Sequence, residues 1–176
     1  MRLEGEAWSR YFRDFASSAF RLELHPVYTM PGEEDELRRF LDGEVPPSDY
    51  HYGWLDTMAA AKTAGKTVRR VRVVRRPLTD YIRYEFAWGF VYNVQAGEDI
   101  RILDLTDQPG PELPDHDFWL FDDATVVRLL YRPDGTQIGR ELVTDPDLDA
   151  YRRWREAAWT QAVPFGDYWA GQRPRV

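Results

Sequence analysis

An α+β fold, one domain built on a mixed sheet of about five to six strands, is the class this sequence predicts. Three observations lead there. Residues 66–105 read as strand, helix, turn and strand, residues 117–143 carry three β signals in succession, and runs with helical spacing flank both stretches. With 43% hydrophobic residues over 176 positions, the chain has material for one packed core and is short for two domains, so residues 1–176 are read as a single domain with a loose tail at 172–176.

The central unit supplies the β-α-β connection. Val68, Val71, Val73 and Val74 mark a β-branched strand, Pro77 is placed at the opening of a helix, where a missing N–H costs nothing, and Ala96-Gly97-Glu98-Asp99 turns the chain into Ile100-Arg101-Ile102-Leu103. The strand alternates, with Val71 and Val73 on one face and Arg70 and Arg72 on the other, so that one face is expected to meet water or anions. Leu78, Ile82 and Phe86 form the stripe that turns the helix toward the sheet, and Asp80 with Arg83 reads as a pair on the helix surface. The strands over 67–75 and 100–105 are expected to lie parallel in the same sheet.

In chain order, residues 6–15 hold Trp8, Tyr11, Phe12 and Phe15 at helical spacing and lead into an apolar alternation at Phe20, Leu22 and Leu24 that reads as a strand. Residues 33–41 form a short helix with acids in its first turn and Gly43 behind it. Residues 49–64 form another, ending at Gly65. After a proline-rich loop over 107–114 come strands at 117–121, 126–131 and 138–143, the last two joined by Arg132-Pro133-Asp134-Gly135-Thr136, a hairpin turn. Asp145 is the expected cap of a final helix carrying Leu148, Tyr151, Trp154, Ala158 and Trp159, after which Phe165, Tyr168 and Trp169 dock on the body.

Composition excludes several functions. Cysteine is absent, so there is no disulfide framework and no thiolate metal site. No apolar run approaches the ~18 residues of a membrane span, and the first residues lack the apolar segment of a signal peptide, from which a cytoplasmic location is expected. A net charge of −7 opposes general affinity for nucleic acid. Seven Trp, ten Tyr and nine Phe imply a core of large side chains or an aromatic-lined cleft.

Chemistry-bearing candidates are few. Arg70, Arg72 and Arg83 belong to a cluster on the central unit and form the candidate anion site, arginine being suited to bidentate contact with carboxylate or phosphate; in the competing reading they pair with Glu85, Glu98 or Asp99 and lock helix to sheet. His116, Asp80 and Glu85 are the acid–base candidates. His51 sits among aromatic residues with no catalytic partner near it in sequence. The acids around His116, namely Asp115, Asp117, Asp122 and Asp123, match no known metal-ligand spacing, and no metal or cofactor is expected. No GxSxG elbow or phosphate-binding glycine loop is present.

The stretches RVRVVRRPLTDYIRYEF, NVQAGEDIRILDL and HDFWLFDDATVVRLLY resemble a family of actinobacterial proteins, common in streptomycetes, of uncharacterised activity and often encoded beside helix-turn-helix regulators. The resemblance covers residues 15–169 and implies a regulatory or signalling role. A second, remote similarity is to one half of a phospholipase D-type domain, whose HxKxxxxD motif is met here by His116 and Asp123 with Phe118 in place of the lysine; without that cation, the similarity implies binding rather than cleavage.

Two functions are therefore expected from the sequence. One is an interaction or ligand-sensing module acting with a DNA-binding regulator and without catalysis of its own. The other is a small cofactor-independent enzyme or binding protein that holds an anionic small molecule with its arginines.

Overall fold

The computed structural model describes residues 1–172; the last four positions of the expected loose tail lie outside the described residues, and Gln172 ends a helix. Strands β1 (Ser18–Glu23), β2 (Thr67–Val74), β3 (Asp99–Asp104), β4 (Asp117–Phe121), β5 (Thr125–Tyr131), β6 (Gln137–Leu142) and the short β7 (Val163–Pro164) form one sheet in the order β6-β5-β4-β1-β2-β3-β7. β1, β2 and β3 are mutually parallel neighbours, and the remaining pairs are antiparallel. The expected β-α-β unit and C-terminal hairpin are both present. The sheet has seven strands, and its middle position belongs to β1 rather than to the strand at 67–74.

The helices are α1 (Gly5–Asp14), α2 (Glu34–Leu41), α3 (Gly53–Thr63), α4 (Asp80–Tyr84), which runs through a π-helical segment (Glu85–Phe90) into α5 (Val91–Ala96), then α6 (Leu148–Gln161) and α7 (Phe165–Gln172). Two starts differ from the sequence reading for the same reason. The chain begins a helix where a side chain can satisfy its first free N–H groups: Thr79, not Pro77, accepts from Ile82 N, and Asp147, not Asp145, accepts from Ala150 N. Gly97, at φ +117°, closes α5 in the left-handed conformation expected of the turn.

The two faces of the sheet are built differently. On one, Phe20, Leu22, Val71, Val73, Leu103, Phe118 and Leu120 pack under α6 through Tyr151 and Ala158, an apolar core. On the other, the rims are apolar: Ala19, Val68, Trp119 and Phe121 lie under α1 and α3, and Val74, Ile100 and Ile102 lie under the π-helical segment and α7. Between those rims the same face carries charge, because the alternation of β1, β2 and β4 brings Arg21, Glu23, Arg70, Arg72 and Asp117 to the middle of the sheet. Among the described residues no helix is long and apolar enough to cross a membrane.

Candidate functional site

The charged band is assembled from neighbouring strands. Arg21 Nη2 donates to Asp117 Oδ2 at 3.2 Å, and Asp117 also accepts from Leu24 N at 2.9 Å and from the Tyr28 hydroxyl at 2.5 Å. Arg70 Nε donates to Glu98 Oε1 at 2.7 Å while its Nη1 donates to Glu23 Oε1; the other oxygen of Glu98 takes the Trp54 indole N–H at 2.9 Å. Arg72 Nε donates to Glu85 Oε1 at 2.8 Å, and its Nη1 reaches the His25 carbonyl. Burying charge is tolerated only when it is paired and hydrogen-bonded, and this network meets that condition for most of its atoms.

Arg72 is therefore fully buried, with 0% of its side chain exposed, and Arg70 nearly so at 13%. The expectation that this strand face meets water is corrected: helices cover it, and the carboxylates of Glu23, Glu85 and Glu98 replace solvent. Burial pushes Glu85 up to about 7 against the opposing pull of Arg72. Glu23 goes the other way; burial would raise it, but Arg70, Arg21 and Arg72 together hold it below the usual carboxylate range.

Two clefts open over the band, and Arg70 lines both. The larger, about 370 Å³, lies between α2 and the π-helical segment and is lined by Tyr50, Tyr52, Tyr81, Tyr84 and Trp88 with Glu33, Glu36 and Glu85. Its polar groups are largely satisfied by one another: Glu36 accepts from Tyr50 and Tyr84, and Glu33 from Tyr81. Burial raises Glu33.

The smaller cleft, about 200 Å³, opens between α1 and the β5–β6 hairpin. Its walls are Trp8, Phe12, Trp54 and Trp119, and its polar lining is Arg21, Arg70, Arg140, Tyr131 and Gln137, with no carboxylate. Arg21 is 5% exposed, yet its Nη1 has no hydrogen-bond partner among the described residues. Arg140 lies over the Trp8 ring at 5.2 Å; it makes no salt bridge among the described residues, and Glu4 is the acid whose charge acts on it. Its guanidinium is lowered, by burial first and also by the like charge of Arg21. Arg21 and Arg70 are ion-paired with Asp117, Glu23 and Glu98, so the positive charge that faces the aromatic cleft in excess is that of Arg140.

The sequence-derived candidates separate in space. Arg70 and Arg72 share the band, but Arg83 is half-exposed on α4 and pairs with Asp80 at 3.7 Å, the surface pair expected of them. Glu85 belongs to the band. His116 does not: it sits on the opposite face of the sheet, with Nδ1 on Asp115 at 2.9 Å and Nε2 on the Tyr151 hydroxyl at 3.0 Å, against Phe118 and Trp154. Phe118, where a lysine of the HxKxxxxD pattern would stand, is fully buried in the α6 core. His51 is exposed beside Asp56. The acids around His116 disperse, Asp117 into the band and Asp122 onto the N–H groups of Ala16, Ser17 and Ser18. Among the described residues no group of three metal-ligating side chains gathers.

Arg21, Glu23, Asp117 and Arg140 are site residues that the sequence reading left out. The signal for the first two is charge placed between Phe20, Leu22 and Leu24: a polar residue alternating with apolar ones reads as the solvent side of a strand, unless the strand lies at the centre of the sheet.

The fold and site together define an α+β domain with a buried ionic band beneath an arginine-lined aromatic cleft. The chain belongs to the family defined by the domain of unknown function DUF6879, which matches it over residues 6–170. No curated protein matches the sequence. Among solved structures, a phospholipase D family member, Nuc from Salmonella typhimurium, superposes with a TM-score of 0.48 at 14% identity over 91% of each chain, a likeness too distant to carry an argument about activity.

Proposed function

We propose that this protein is a ligand-sensing module that binds a small anion in the cleft between α1 and the β5–β6 hairpin, with no catalysis of its own. The observation that carries the reading is Arg21, whose buried Nη1 has no hydrogen-bond partner among the described residues and which lines a cleft whose polar lining contains three arginines and no carboxylate. A buried donor of this kind is costly unless something completes it. An anion does so.

The partner in this reading is a DNA-binding regulator of the helix-turn-helix class that the family resemblance implies. A net charge of −7 supports leaving contact with nucleic acid to that partner. Cytoplasmic location is part of the same proposal.

Titration calorimetry with a panel of small anions, namely acetate, inorganic phosphate and benzoate, tests the binding. At least one should bind saturably, and Arg140→Gln should weaken it about tenfold, the loss of one charge-assisted contact. If none binds at millimolar concentration, the reading falls. For the partner, the protein alone should leave random duplex DNA unshifted at physiological salt; a shift would overturn that assignment.

The second reading is a small enzyme, and one observation favours it. Glu85, poised at about 7, lines the larger cleft with Glu33 and Glu36, and a carboxyl that titrates near neutrality is suited to proton transfer. A metabolite consumed over many turnovers by the wild type, and spared by folded Glu85→Gln, would decide for the enzyme.

A further inference from the structure

We infer that the anion taken by the smaller cleft is a small aromatic carboxylate, one ring in size, with its ring against the tryptophan walls and its carboxylate on Arg21 and Arg140. This rests on the anion-binding reading and narrows it.

Size comes first. At about 200 Å³ the cleft is below the ~300–1,000 Å³ of sites that hold drug-sized ligands, so a single ring with a short polar group is the scale that fits.

The walls select an aromatic body. Phe12 stands edge-on to Trp54 (centroids 5.1 Å apart, planes at 87°) and to Trp119 (5.0 Å, 82°). Trp8 is likewise perpendicular to Phe12, at 4.8 Å and 88°. Arg140, Arg70 and Arg21 lie over Trp8, Trp54 and Trp119, and Trp119 also stacks on Phe121, so an incoming ring meets chiefly ring edges, and edge-to-face contact is one of the arrangements that aromatic pairs prefer. An aliphatic acid of the same size lacks the ring face that those edges would meet.

The polar end selects a carboxylate. Arg21 Nη1 is a buried donor without a hydrogen-bond partner among the described residues, and Arg140 brings a second guanidinium. Tyr131 supplies a third group: its oxygen already accepts from Arg21 Nη2 at 3.2 Å and from Gln137 Nε2 at 3.1 Å, so its own O–H remains to be donated. A planar monoanion with two oxygens matches guanidinium forks and one hydroxyl. A phosphate dianion asks for more donors than this and would lose more hydration beside four indole and phenyl walls.

The test is calorimetry on the full chain with benzoate, cyclohexanecarboxylate, acetate, inorganic phosphate and benzylamine. Benzoate is expected to bind at least about tenfold more tightly than any of the others. Arg140→Gln should remove most of that affinity, and Trp8→Leu should reduce benzoate toward the level of cyclohexanecarboxylate, each variant first shown to be folded by its near-ultraviolet dichroism. If acetate or phosphate binds as tightly as benzoate, the aromatic inference is overturned while anion binding stands. If cyclohexanecarboxylate equals benzoate, or benzylamine matches it, the aromatic-carboxylate assignment is equally wrong. If no anion binds at millimolar concentration, the anion-binding reading itself fails, a different result from any of these.

Discussion

Arg21 and Asp117 meet at 3.2 Å across the β1–β4 pair, 96 residues apart in sequence and with neither side chain more than 7% exposed. The carboxylate is saturated from three directions: Arg21 from the strand beside it, the Tyr28 hydroxyl from the loop after β1, and the Leu24 backbone N–H. Asp117 thereby fixes the orientation of Arg21, which lines the cleft and whose buried Nη1 has no hydrogen-bond partner among the described residues.

Asp117→Ala should destabilise the protein by about 3–5 kcal/mol, because it strips the acceptor from a buried cation and from two further donors. Urea unfolding measures this directly. A loss below ~1 kcal/mol would mean that the pair is no keystone of the band.

A second prediction concerns the hairpin that carries Tyr131 and Gln137 to the cleft. Gly135 sits at φ +85°, and a Cβ there would fall 2.2 Å from the Val27 carbonyl oxygen. The closeness is structural, since Thr29 N donates to the Gly135 carbonyl at 3.0 Å and ties the loop after β1 to the hairpin. Gly135→Ala combines a left-handed backbone with a backbone clash and should cost about 2–4 kcal/mol. Gly166→Ala, where nothing lies within 4 Å of the added carbon, is the control and should stay within ~1 kcal/mol. Equal midpoints for the two variants would refute the close approach.

Most of the sheet was legible in the sequence because its strands are written in β-branched and aromatic runs separated by glycine and proline turns. β7 was not, being two residues long and paired with Arg101 and Ile102 of β3. The band was half legible. Arg70, Arg72 and Glu85 stand out as charges on the unit that organises the chain, and the competing reading, arginines paired with Glu85 and Glu98, describes much of what they do. What local pattern cannot express is that β1 lies at the middle of the sheet and that helices close over its charged face. Alternation then looks the same for a wet face and for a buried ionic one. Arg140 was invisible for another reason: its meaning comes from Trp8 and Arg21, which approach it only through the antiparallel β4–β5–β6 pairing and the packing of α1.

The last prediction follows Glu85, whose carboxyl titrates at about 7 in the fold against an ordinary value of 4.5. Burial is the main cause, with the Glu23 charge adding to it and Arg72 opposing. Between those two pH values the folded chain keeps a proton that the unfolded chain has released, so raising the pH draws the equilibrium toward unfolding. The contribution is complete below about pH 4.5 and is lost as the pH climbs to about 7, an effect on the order of 3 kcal/mol. Glu23, held low by its arginines, acts in the opposite sense and below that window, its stabilisation disappearing as the pH falls beneath 4.5. Glu33, raised by burial, contributes in the same direction as Glu85 and remains when Glu85 is replaced. Unfolding free energies of the wild type and Glu85→Gln, compared from pH 4.5 to 7.5, should therefore differ in slope, the variant losing less stability as the pH rises. Parallel curves would show that Glu85 is already ionised across the range and that Arg72 outweighs its burial.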